Sequence, residues 1–307
     1  MGRGVRFQWR PSRRRVPERT RGDVFSKRDR KRLSAIVLLL PGLGDALTAS
    51  SAVRRLSLDD RYTIDAMTML RPVTEYARGL EVFREVRELP LLSRPYDCLG
   101  QILQLRRKYD VCVVPFPATR WQYAFVAAML SSRRTYIHDY GGLSRVLLQL
   151  GHRTTFVALR GGHRIAENDR LAAAMDLPKA SSEQYLIPDC WRSQRITGLV
   201  GINVGSMVFK GNDNRRWPFE RFVQLIRDQV VEKRRRVRVF IGPNERVEMK
   251  RLVSLFSSQI ELVNLPLKDA ALSLAQCEAF VGNDAGLTHL AAGLGVKTIA
   301  LFGMTDP

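Results

Sequence analysis

From Leu33 onward the chain alternates short apolar runs with stretches of helical spacing. The run at 35–40 (AIVLLL) is apolar at every position, as in a strand buried on both faces. Pro41-Gly42-Leu43-Gly44-Asp45 interrupts it, and 46–56 then carries apolar residues three and four apart, predicting a helix. The pattern predicts further strands at 62–69, 111–114 and 135–138, and helices at 121–130 and 163–177. Between 70 and 108 it is helical without sharp boundaries. Residues 178–197 carry two prolines, little periodicity and many polar groups, and read as a linker.

The second half is more regular. Strands are predicted at 199–204, 237–241, 260–263, 279–281 and 298–302. Helices fall between them at 218–233, 245–256, 267–276 and 287–294, the first with Phe222, Leu225, Ile226 and Val230 on one face. Strands separated by helices of this length require right-handed crossovers and a parallel sheet. The expected architecture is α/β, with two Rossmann-like domains facing across a cleft. Their bounds are 33–180 and 198–307, preceded by a basic tail over 1–32.

Composition sharpens this picture in three ways. No apolar run approaches the roughly 18–20 residues that span a bilayer. Cys98, Cys112, Cys190 and Cys277 are far apart and form no CxxC pair. That is cysteine usage for a reducing compartment, with no zinc site and no disulfide framework expected, and the location expected is the cytoplasm. The formal net charge is +20, and residues 1–32 hold 13 Lys and Arg against three acids. Such a segment has no hydrophobic period to pack. It is either a solvated tail, or one drawn to an anionic membrane surface or to nucleic acid. No nucleic-acid motif or aromatic platform accompanies the charge, so a nucleic-acid partner is not expected.

Parallel sheets bind ligands beyond the C-terminal ends of their strands, and three such loops carry chemistry. In the first, Asp45 stands at a helix start after two glycines, where it is either a cap or a general base; spacing does not choose between these. The second, GSMVFKGNDNRRWP at 205–218, holds Ser206, Lys210, Arg215 and Arg216, whose cations are either solvated or pair with phosphates; its place at a strand's C-terminal end favours phosphates, and Pro218 suits a first helical turn. The third, VGNDAGLTHLAA at 281–292, runs from a strand into a small turn and at once into a helix. Its free N–H groups suit a diphosphate, Asp284 suits turn N–H groups or a ribose, and His289 lies one turn further on.

At these residues the chain resembles glycosyltransferase family nine, the ADP-heptose:lipopolysaccharide heptosyltransferases and their relatives. GNDAGLTHLAAGLGVKTIALFGMTDP at 282–307 carries the strongest likeness, to that family's D-[ST]-G-x-x-H-x-A-A…FG-x-T-D-P signature. RRWP at 215–218, FIGPNE at 240–245, GLGDALTASSAVRRL at 42–56 and HRIAENDRLAAAMDLP at 163–178 support it. The resemblance implies a GT-B fold and inverting transfer with neither metal nor cofactor. It puts Asp45 at the catalytic carboxylate. Ser206, Lys210, Arg215, Glu245, Asp284, Ala285, Gly286 and His289 fall on the donor side, with Glu245 toward the nucleoside. The donor implied is ADP-heptose. The acceptor is a lipid-linked glycan of lipopolysaccharide-core type, at the inner face of the cytoplasmic membrane.

Three departures from the family are visible. Ala285 stands where Ser or Thr is usual, and the first loop lacks the basic residue that often precedes Gly-Asp. The sequence also stops at Pro307, directly after the TDP motif, where GT-B proteins continue with a helix that returns to the first domain; either that helix is missing or the sequence is a fragment. The alternative function is a catalytically silent relative that only binds nucleotide-sugar or glycan.

Overall fold

The computed structural model describes residues 32–91, 93–149, 153–180, 185–206, 216–242 and 244–303. Six strands form the first sheet: β1 (Leu33–Leu39), β2 (Tyr62–Thr68), β3 (Glu85–Glu88), β4 (Val111–Val114), β5 (Arg134–His138) and β6 (Thr154–Val157). Their order is β3-β2-β1-β4-β5-β6, and every pairing is parallel. The helices of this half are α1 (Leu43–Ser57), α2 (Arg71–Gly79), α3 (Pro95–Gln104), α4 (Trp121–Leu130), α5 (Gly142–Gln149) and α6 (Arg164–Ala173).

The second sheet is also parallel, in the order β11-β10-β7-β8-β9. Its strands are β7 (Ile196–Asn203), β8 (Arg236–Phe240), β9 (Ile260–Val263), β10 (Cys277–Asn283) and β11 (Lys297–Leu301). α7 (Phe219–Arg227), α8 (Arg246–Phe256), α9 (Leu267–Ala275) and α10 (Gly286–Gly293) connect them. The helix predicted over 218–233 ends at Arg227 and continues as a wider π turn over Asp228–Glu232.

β1 shows why an unbroken apolar run is needed at the centre of such a sheet. Its side chains alternate between two layers. Ala35, Val37 and Leu39 pack with α1, while Ile36 and Leu38 pack under α3, α4 and α5. Each large side chain buried this way contributes about 1.5–3 kcal/mol.

The strands β3 and β6 and the helix α5 were not anticipated. β3 reads EVRE and is partly exposed, and β6 is four half-buried residues, so neither has a strand's hydrophobic signature.

Part of the segment read as a linker is packed structure. Trp191 is buried and rests against Tyr76, whose hydroxyl donates to Leu186 O at 2.7 Å. Leu186 N–H donates to Ser50 Oγ at 2.9 Å, and Arg54 donates to Tyr185 O at 2.9 Å. Residues 185–191 therefore lie along α1 and α2. Contacts of this kind are made residue by residue and leave no period in the sequence.

In both sheets the strand order reverses beside the first strand, at β1/β4 and at β7/β10. Crossover helices leave to opposite faces there and open a crevice at the C-terminal strand ends. The loops after β1, β7 and β10 all emerge at these points.

Candidate functional site

α1 and α10 meet with their N-termini close together, and two glycines permit the approach. A Cβ on Gly44 would lie 2.8 Å from His289 Cδ2, and one on Gly286 would lie 3.0 Å from Leu43 Cβ. A side chain at Gly44 would force the His289 ring or the helix to shift, and one at Gly286 would crowd Leu43.

Asp45 is the third residue of α1 and points into a cavity of about 160 Å³, lined also by Gly44, Arg164, Asp284, Gly286 and His289. Arg164 Nη1 donates to Asp45 Oδ1. Burial pushes the Asp45 carboxyl above its ordinary range, and the nearby Asp284 charge acts the same way. Arg164, a hydrogen bond to the Gly42 backbone and His289 oppose that rise, Arg164 most strongly.

Arg164 opens α6, and the fold fixes that helix firmly. The His163 ring caps it by accepting from Ile165 N–H at 3.3 Å. Asn168 bonds to both the N–H and the C=O of Phe116, at 2.9 and 3.0 Å. Arg55 of α1 donates to the carbonyls of Asp169, Leu177 and Pro178 at the far end. α6 is thus clamped to α1 along its length, and its first side chain is delivered to Asp45.

On the opposite wall, buried Asn203 and Asn283 tie the strand ends of β7 and β10 together. Asn203 Nδ2 donates to Gly205 O at 3.0 Å, and Asn283 Nδ2 donates to Val204 O at 3.1 Å. Asn283 Oδ1 accepts from Trp217 N–H at 2.8 Å. Ala285, the N-cap of α10, has extended backbone and makes no side-chain cap. The first residue of α10, Gly286, lines the cavity. His289 has Tyr185 Oη at 3.3 Å from Nδ1 and Asp284 Oδ1 at 3.6 Å from Nε2.

A larger cavity of about 360 Å³ adjoins this one and shares Gly42, Leu43, Ala285 and Gly286 with it. Phe240, Ile241, Val263, Leu265 and Leu267 give it an apolar wall, and Ser206, Asn244, Asn264 and Glu245 supply polar groups. Ser206 Oγ is buried with no hydrogen-bond partner among the described residues. Glu245 is 4% exposed; its Oε1 accepts from Arg216 at 2.7 Å and its Oε2 from Gly242 N–H at 2.9 Å. Arg216 also donates to Ser206 O at 2.5 Å. Among the described residues no group of three His, Cys, Asp or Glu is gathered to hold a metal ion.

This arrangement joins an apolar chamber with polar edges to an acidic nook, across the start of a helix. The family model for glycosyltransferase family 9 (heptosyltransferase) matches residues 102–307. The chain belongs to glycosyltransferase family 9.

Lipooligosaccharide heptosyltransferase 2 of Haemophilus ducreyi is 25% identical over 231 residues, covering 66% of this chain and 63% of that protein. Lipopolysaccharide heptosyltransferase 1 of Escherichia coli K12 is 33% identical over 96 residues, 31% of this chain and 30% of the relative. The chain thus spans less than two thirds of the curated relatives it matches. E. coli heptosyltransferase WaaC with ADP-2-deoxy-2-fluoro heptose superposes with a TM-score of 0.72 at 18% identity, over 90% of both chains. The family 9 glycosyl transferase from Veillonella parvula gives 0.74 at 17% identity, over 89% of this chain and 82% of that one. The fold is therefore GT-B, in line with the expectation from sequence.

Of the candidate residues, Asp45, Asp284, Ala285, Gly286 and His289 line the smaller cavity, and Ser206, Glu245, Ala285 and Gly286 line the larger. Lys210 and Arg215 lie outside the described residues, as do residues 1–31 and the TDP motif. Arg164 and Tyr185 were not anticipated as site residues. Arg164 sits in a helix ahead of the linker and Tyr185 in the linker itself, where no strand-end loop drew attention to either. Arg164 also brings a cation to Asp45, which the first loop does not contain.

Proposed function

We propose that this chain is an inverting, metal-independent glycosyltransferase that moves heptose from ADP-heptose to a lipopolysaccharide-core-type, lipid-linked acceptor at the inner face of the cytoplasmic membrane. The observation that carries this reading is the placement of Asp45 and the N-terminus of α10 on one small cavity that opens to the larger chamber. The heptosyltransferase relatives in family 9, and the ADP-2-deoxy-2-fluoro heptose in the WaaC structure, support the donor.

In this reading the nucleoside occupies the apolar chamber. Glu245 takes a ribose hydroxyl with its remaining lone pairs, and buried Ser206 offers its unused hydroxyl. The diphosphate lies against the N–H groups of Gly286 and Leu287, where the helix dipole favours negative charge. The family resemblance assigns Lys210 and Arg215 to the same diphosphate. The sugar then reaches the smaller cavity beside Asp45 and His289.

Asp45 removes the proton from the acceptor hydroxyl as that oxygen bonds to the anomeric carbon. The bond to the diphosphate breaks on the opposite side, so the configuration inverts. Burial raises the Asp45 carboxyl, which makes it a stronger base, while Arg164 opposes the rise. The charge developing on the leaving diphosphate meets preorganised donors rather than water.

Isothermal calorimetry in EDTA with ADP-heptose, ADP, UDP and UDP-sugars tests the donor assignment. Selective binding of ADP and ADP-heptose, weakened by His289→Ala, is expected. Preference for UDP would move the chain to another donor, and binding of none would remove the nucleotide-sugar site.

A further inference from the structure

The outer faces of α3, α4 and α5 carry large apolar side chains that the core does not use. In each helix the inward positions are filled: Cys98 and Ile102 in α3, Tyr123, Ala124 and Ala127 in α4, Leu148 in α5. The outward positions follow the same helical spacing. Tyr96, Leu99 and Leu103 are exposed on α3, Trp121 and Phe125 on α4, and Leu143 and Val146 on α5. Tyr96 is 88% exposed and Trp121 45%. Isolated exposed apolar residues need no explanation, but seven on three helices stacked side by side against one sheet face do.

The charge around them has one sign. Residues 94–149 hold eight Lys and Arg against three acids. Two of those acids are already matched, Asp110 by Arg133 at 3.4 Å and Asp139 by Arg145 at 2.5 Å. Arg94, Arg106, Arg107, Lys108 and Arg120 are exposed at the ends of the helices.

The apolar residues are densest at one end. Tyr96, Trp121 and Leu143 all lie in the first two residues of their helices, at the C-terminal edge of the parallel sheet. A groove of about 560 Å³ opens there, between Arg120, Trp121 and Gln122 on one side and Tyr140, Leu143 and Ser144 on the other. This is the edge from which the Asp45 loop also emerges.

We propose that the outer face of α3, α4 and α5 docks on an anionic lipid surface, led by Tyr96, Trp121, Phe125 and Leu143. Aromatic rings settle at the headgroup level, and arginine stems lie along apolar surface while their heads reach lipid phosphates. A face with few acids suits anionic over neutral lipid, and each basic residue near such a surface strengthens binding. Among the described residues no helix is long and apolar enough to cross a membrane, so this contact is peripheral. Docking by this end sets the mouth of the Asp45 cavity toward the bilayer. It is a contact of the folded body, separate from the basic residues 1–32, and does not depend on the donor assignment.

Co-sedimentation of the full chain with vesicles of phosphatidylcholine, with and without 30% phosphatidylglycerol, tests this at 0.15 M and 0.5 M NaCl. The comparison is with Trp121→Ser/Leu143→Ser and with Tyr96→Ser/Phe125→Ser, whose thermal unfolding should match the wild type because the changed side chains are exposed. Preferential binding to anionic vesicles, with the partition coefficient at least tenfold lower in both variants and the wild-type remainder at 0.5 M NaCl abolished in them, is expected. Equal binding by wild type and variants would place any lipid contact elsewhere, in residues 1–32 for instance, and overturn the proposal. So would binding to RNA but not to vesicles, or a wild-type dimer that the variants dissociate.

Discussion

Asp45 and Arg164 form an ion pair between two helices whose partners are 119 residues apart in the chain. It joins a carboxyl that burial raises to the cation that most strongly opposes the rise. The pair sits in the smaller cavity with Asp284 and His289. Its consequences are therefore chemical rather than only structural.

Replacing Asp45 by Asn keeps the shape of the cavity and removes the base. Transfer should fall by about 10²–10⁴-fold, the usual contribution of a general base. Donor affinity by calorimetry should stay within a few-fold of wild type. Turnover unchanged in this variant would remove Asp45 as the base.

Arg164→Gln withdraws the strongest of the groups that keep Asp45 ionised. The Asp45 pKa should rise further, so the acidic limb of the kcat/KM profile should move to higher pH. Activity well above that limb should be largely recovered, which a purely structural loss would not show. Arg164→Lys should return the limb part of the way, since it restores charge without the fork geometry.

Gly44→Ala tests the contact between α1 and α10. Its Cβ would fall 2.8 Å from the His289 ring, so either the ring or the helix must move. A displacement of this size near the reacting groups should cost at least tenfold in kcat/KM. The thermal transition should change little.

Ala285→Ser restores a residue suited to an N-cap, at a position whose backbone is already extended. A gain of about 1 kcal/mol is expected from the cap, equivalent to a rise of about 2 °C in Tm. Tighter donor binding would add that the hydroxyl reaches the nucleotide-sugar.

A buried cluster behind α6 makes stability pH-dependent. His138 and Glu167 are both almost fully buried, 3.7 Å apart, and Arg170 pairs with Glu167. Burial holds the His138 pKa below its ordinary value despite the nearby Glu167 charge. Glu167 also lies below its usual range: burial works to raise it, but Arg170 and the N–H groups of Arg160 and Gly162 prevail. Both depressed values contribute stability above the unfolded-state pKa and lose it as pH falls through the folded one. Urea midpoints should therefore drop first below the ordinary histidine range and again below the carboxylate range. Glu167→Gln should already lose about 3 kcal/mol at pH 7.5, as expected for breaking a buried pair. A flat midpoint from pH 7.5 to 4.5 would contradict this.

What the sequence made legible follows from what it repeats. Central strands such as β1 and β4 are buried on both faces, so their apolar runs marked them within a residue or two. The turn before α10 announced itself through glycine, small residues and an abrupt change of period. Edge strands β3 and β6 carry no such signal, because one side of each meets solvent. Arg164 was hidden for a different reason. Its role depends on how α6 is held to α1 by Arg55 and to the Phe116 backbone by Asn168, a tertiary fact with no local pattern. Glu245 was marked as a donor-side residue, but its burial beneath Arg216 was not foreseeable, because the two residues come from different loops, after β7 and after β8.

The most direct test of the whole account is a transfer assay in EDTA, with purified chain, ADP-heptose and a heptose-free lipopolysaccharide-core acceptor. Product mass and anomeric configuration would be read for the wild type and for Asp45→Asn. One added heptose with inverted configuration and release of ADP by the wild type, and no product from the variant, are expected. Donor that is bound but never transferred by the wild type, or a product with retained configuration, would contradict it.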